Sequence, residues 1–63
     1  MTENREFFPN FLVRVGHWET HLKARDAEEA VRLARLQMAR ELPRLYDVIR
    51  KLTSGRFQVR AAA

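Results

Sequence analysis

Few residues in this chain have types and spacings that could do chemistry. His17 and His21 stand four apart with Glu19 between them, which on a helix would put two imidazoles on one face and suit a metal ion. The surrounding letters read as an extended hairpin instead. In a strand, residues four apart are separated by roughly 13 Å, too far to share one ion. Surface or turn roles are therefore predicted for both histidines, with no metal. The carboxylates Glu28, Glu29, Glu41 and Asp47 each have a structural use. Glu28 and Glu29 suit the positive end of a helix, Glu41 precedes a bend, and Asp47 is within helical reach of Arg44 or Arg50. The chain has no cysteine, which removes thiol nucleophiles, thiolate zinc sites and disulfides. Gly16 and Gly55 are its only glycines, far apart and each in turn context, so no glycine-rich loop can cradle a phosphate. A chain of 63 residues also leaves little room for the roughly 300 Å³ that a small-molecule pocket needs. The expectation is a protein that is not an enzyme, with no cofactor and no evident small-molecule substrate.

The elements that must position these residues follow from periodicity. Phe11, Val13 and Val15 alternate with Leu12, Arg14 and Gly16, as a half-buried strand requires, and Pro9 suits the start of such a strand. Thr20, Leu22 and Ala24 alternate with His21, Lys23 and Arg25 as a second strand, leaving residues 16–19, Trp18 among them, as the connection. At Asp26 the period changes. Asp26 followed three positions later by Glu29 is close to a capping box, and Ala27, Ala30, Val31, Ala34, Met38 and Leu42 line one helical face. The apolar spacing continues through Pro43 without a phase break. A straight helix over 27–52 would nevertheless be about 39 Å long, roughly twice a six-residue strand. Two helices, 27–41 and 43–52, are preferred to one kinked at Pro43, because proline is most comfortable at a helix start. Gly55 suits a left-handed stop, and residues 56–60 alternate again as a third strand.

The fold class is thus α+β, in the order ββααβ. The expected sheet has three antiparallel strands in the order 2-1-3, with one face under two helices or one helix kinked at Pro43. One small domain is expected over residues 7–60, with flexible ends at 1–6 and 61–63. Phe7 and Phe8 would close the end of the core or form a short sticky arm. No apolar run reaches the length of a membrane span, and the first residues lack the pattern of a signal peptide, which predicts a cytoplasmic protein with no membrane partner.

Alternation sends Phe11, Val13, Val15, Leu22, Ala24, Phe57 and Val59 beneath the helices. It sends Arg14, His21, Lys23, Arg25, Arg56, Gln58 and Arg60 to the open face. Residues 1–29 hold four basic and six acidic side chains, residues 30–63 eight and two, so the net +4 comes from the second half. Nucleic acid is therefore one candidate partner, held through phosphates by Arg14, Lys23, Arg25, Arg56 and Arg60. No aromatic ring has open-face parity for base stacking, so such binding would carry little base selectivity. The other candidate is protein. Leu33 and Leu36 fall off the core stripe of the first helix, flanked by Arg32, Arg35 and Arg40, and together with Arg32 and Arg40 they form a candidate partner-binding or homodimer seam.

Residues 24–34 resemble the strand-to-helix join of many small α+β proteins, short phage-encoded inhibitors of bacterial RNA polymerase among them. The resemblance implies that local order and no site. A small non-enzymatic interaction module, its partner another protein or a second copy, is the leading expectation. A phosphate-directed nucleic-acid binder is the alternative.

Overall fold

A computed structural model describes residues 7–62 of the chain. It contains β1 (Asn10–Val15), β2 (Trp18–Lys23), α1 (Ala27–Glu41), α2 (Tyr46–Lys51) and β3 (Gln58–Ala62), with 3-10 turns at Pro43–Leu45 and Ser54–Arg56. The sheet is antiparallel in the order β2-β1-β3, and the helices cover one of its faces, as the alternation required.

The hairpin is tighter than the sequence suggested. Val15 pairs with Trp18, so the loop is only Gly16 and His17, and Trp18 and Glu19 belong to β2. Gly16 makes this turn. Its φ of 59 is the only positive φ among the described residues, and glycine at the first central position fits the type II′ turn, whose twist matches that of the strands. The backbone N–H of Ala24 then donates to the Pro9 carbonyl at 3.1 Å, extending the β1–β2 ladder and burying Ala24 just beyond β2.

Asp26 caps α1 as read: its Oδ1 accepts from the Glu29 backbone N–H at 2.9 Å. The Glu29 carboxylate closes a wider box, accepting from the backbone N–H of Arg25 at 2.8 Å. At the other end the helix stops before proline. Leu42 leaves helical geometry at φ −125 and ψ 63, and Pro43 opens a 3-10 turn that leads into α2, so the chain breaks rather than bends.

Gly55 does not supply the expected left-handed stop. It lies in the second 3-10 turn with negative φ, and α2 ends because Leu52 is extended at φ −64 and ψ 130. That turn absorbs Arg56, so β3 begins two residues later than read. The strand runs on through Ala61 and Ala62, which pair with Phe11 and Asn10 instead of forming a free tail. Residues 1–6 and 63, expected to be flexible, lie outside the described residues.

Small side chains dominate the core. Val13, Ala24, Ala30, Ala34 and Phe57 form its centre, with Phe11, Val15, Trp18, Leu22, Leu52 and Val59 packed around it and Met38 and Ile49 also buried. Ala30 and Ala34 give α1 a face without bulk, which lets its backbone approach Val13 on the central strand. Of the two N-terminal phenylalanines, Phe8 is half-buried, while Phe7 is 83 % exposed and does not close the core.

Candidate functional site

Two surfaces remain once the core is assembled: the uncovered sheet face and the helical layer. Register fixes the first. Asn10, Leu12 and Arg14 of β1 stand opposite Lys23, His21 and Glu19 of β2 and opposite Ala62, Arg60 and Gln58 of β3. Arg14, Lys23 and Arg60 therefore share this face with His21, around a half-buried Leu12. Arg14 is not free for a ligand in full, because its Nε lies 3.4 Å from Glu19 Oε2. A shallow depression of about 210 Å³ lies between Leu12, Arg14, Glu19, Gln58, Val59 and Arg60.

The other two cations assigned to this face are elsewhere. Arg25 falls in the β2–α1 connection, where its guanidinium reaches Glu29 Oε2 at 3.1 Å. Arg56 sits exposed at the end of the Ser54–Arg56 turn. Both residues lie beyond the strand ends, where alternation no longer sets the direction of a side chain. Glu29 is the centre of the Arg25 cluster: nearly buried, it holds the Arg25 backbone N–H, the Arg25 side chain and Arg32 Nη2 at 3.3 Å. This arrangement fixes the start of α1. The guanidinium of Arg32, expected at a partner seam, is turned partly towards it.

His17 occupies the hairpin turn and His21 the open face of β2, as their extended context predicted. Among the described residues, no three histidine or carboxylate side chains converge in a way that would hold a metal ion, and no helix is long and apolar enough to cross a membrane.

The helical layer is the second surface. Leu33 and Leu36 are separated by the fold: Leu33 packs against the core and Leu36 stays half exposed. The predicted seam of two free leucines is thus reduced to one. More apolar surface lies after Pro43, where Leu45, Tyr46 and Val48 are 46 to 58 % exposed. The sequence did carry a signal for this. Five apolar residues among the eight from Leu45 to Leu52 form an arc too wide for the core to cover, and Ile49 and Leu52 take its middle. Arg40, Arg44, Arg50 and Lys51 are exposed on the same layer, and none of them makes a salt bridge among the described residues. Asp47, expected to pair with Arg44 or Arg50, also makes none.

The layer is docked by directed bonds. Arg35 Nη1 donates to the Ile49 carbonyl at 2.6 Å, and its guanidinium lies 4.9 Å from the centroid of the Phe57 ring. On the opposite flank, Thr20 Oγ1 donates to Gln37 Oε1 at 3.1 Å, Gln37 Nε2 to Glu41 Oε2 at 2.8 Å, and Trp18 Nε1 to Glu41 Oε1 at 3.0 Å. The Gln37 bond, with help from the indole, lowers the Glu41 pKa below the usual 4.5.

Compared with protein-family models, with curated proteins and with solved structures, the chain matches none.

Proposed function

We propose that this protein is a non-enzymatic protein-interaction module whose helical layer is the docking side. One observation carries this reading: Leu36, Leu45, Tyr46 and Val48 are each about half exposed or more in a chain with little apolar material to spare for its core. Isolated exposed leucines mean little, but Leu45, Tyr46 and Val48 are close together, with Tyr46 and Val48 bordering buried Ile49 on either side of α2 while Asp47 and Lys51 take its outer side. The surrounding Arg40, Arg44, Arg50 and Lys51 favour a partner with an apolar groove and an acidic rim. The test is a pull-down from native extract with the full chain and with the double variant Tyr46→Glu, Val48→Glu. Both positions are exposed, so the variant should keep its circular dichroism and melting temperature. A stoichiometric partner held by the first and lost by the second supports the reading; a partner held equally by both, or none, refutes it.

A second reading rests on the uncovered sheet face, where Arg14, Lys23 and Arg60 surround Leu12 without a helix above them. It makes the protein a phosphate-directed binder of nucleic acid with low base selectivity. Affinity for generic DNA or RNA would then fall steeply with salt, whereas an apolar seam would not weaken. No detectable binding at low salt would end this alternative.

A further inference from the structure

We infer that two copies of this chain pair edge to edge through β3, joining their sheets into one of six strands. β3 is an outer strand, and among the described residues Gln58–Ala62 make backbone hydrogen bonds only with β1. Its protections as an edge are few. It has no proline, its pairing with β1 runs without a bulge, and it carries a single charge, Arg60. β2, the opposite edge, carries Glu19 and Lys23, and the side chains of Trp18 and Thr20 are bonded to α1.

The occupant follows from the strand's own order of residues. A twofold axis perpendicular to the sheet keeps both helical layers on one side and makes the strands antiparallel, with same-face residues opposite. Centred on Arg60, it would set the two Arg60 guanidinium groups against each other, a like-charge pair that opposes association. Centred on Val59, it sets Gln58 opposite Arg60 of the second copy, twice, so that an amide oxygen meets a guanidinium donor at each. The same centre puts Val59 against Val59 and Phe57 against Ala61. Phe57 is already extended, at φ −91 and ψ 116, and although its N–H is held by the Ser54 carbonyl at 3.0 Å, its own carbonyl can accept from Ala61 of the second copy. The row Thr20, Val13, Val59 then continues through the axis into its symmetric copy, and the apolar underside of the sheet becomes continuous. Strand pairing also satisfies the open edge of a domain whose core is small. This pairing is independent of what docks on the helices.

Sedimentation of the full chain across a range of concentrations tests it, with two variants at the exposed Gln58. Gln58→Glu places a carboxylate opposite Arg60 of the other copy at two positions, and the dimer dissociation constant should fall by about tenfold. Gln58→Lys places like charges there and should raise it by about the same factor, while melts under dilute, monomeric conditions show that the fold is kept. A chain that stays monomeric at every concentration overturns the inference. So does a dimer that responds to neither variant, or to both in the same direction.

Discussion

The indole Nε1 of Trp18 donates to Glu41 Oε1 across 3.0 Å, joining the first residue of β2 to the last residue of α1. Gln37 bonds both Glu41 and Thr20, so four side chains bind one edge of the sheet to the helix above it. Neither end of this set is close to the other in sequence, and only the two-residue hairpin brings Trp18 onto the covered face.

Acid should loosen this tie. The Glu41 pKa is lowered in the folded chain by its bonds to Gln37 and Trp18, so the stabilisation is fully present above 4.5 and is lost as pH falls through the lower folded value. Titration followed by the Trp18 indole proton resonance should show a transition below pH 4.5. Glu41→Gln should abolish that transition while leaving the spectrum at neutral pH nearly unchanged.

Glu29 should be the most sensitive carboxylate. Its side chain is nearly buried and bonds a backbone N–H and two arginines, so Glu29→Ala leaves the Arg25 amide without its partner and should cost about 1–3 kcal/mol in chemical denaturation. Asp26→Ala removes the cap bond alone and should cost about 1 kcal/mol.

The two glycines should behave differently. A Cβ on either meets nothing within 4 Å, so steric crowding does not separate them. Gly16 has φ 59, where an L side chain is strained, and Gly16→Ala should destabilise by about 1 kcal/mol. Gly55 has no such φ, and Gly55→Ala should be neutral or stabilise by up to about 1 kcal/mol through the unfolded chain. Equal melting temperatures for the two variants would contradict this assignment.

Arg35 should anchor α2 to the rest of the fold. Arg35→Met keeps much of the stem but removes both the bond to the Ile49 carbonyl and the charge beside Phe57. Amide exchange in residues 46–51 should accelerate more than in α1, with a global loss of about 1–2 kcal/mol. Uniform acceleration across both helices would mean that α2 is held by burial of Ile49 alone.

Local chemistry and periodicity made most of the architecture legible. The alternation from Phe11, the cap at Asp26, the three-four stripe through Met38 and the break at Pro43 all depend on a residue and its near neighbours, and each appears in the structure where it was read. Strand ends were less legible. Arg25 and Arg56 have the parity of the open face, yet one lies beyond β2 and the other in a 3-10 turn, because alternation gives direction without saying where pairing stops.

The sequence by itself determined the order of elements, the face each strand turns inward and the point where the helix must break, since steric and hydrogen-bonding rules act over a few residues. Only the tertiary structure decided that Leu33 packs inward while Leu36 does not, that Glu29 gathers two arginines, and that Tyr46 and Val48 stay uncovered beside buried Ile49. Those outcomes depend on which neighbours arrive from distant parts of the chain. The apolar arc of α2 is wide, and only its middle, at Ile49, meets them.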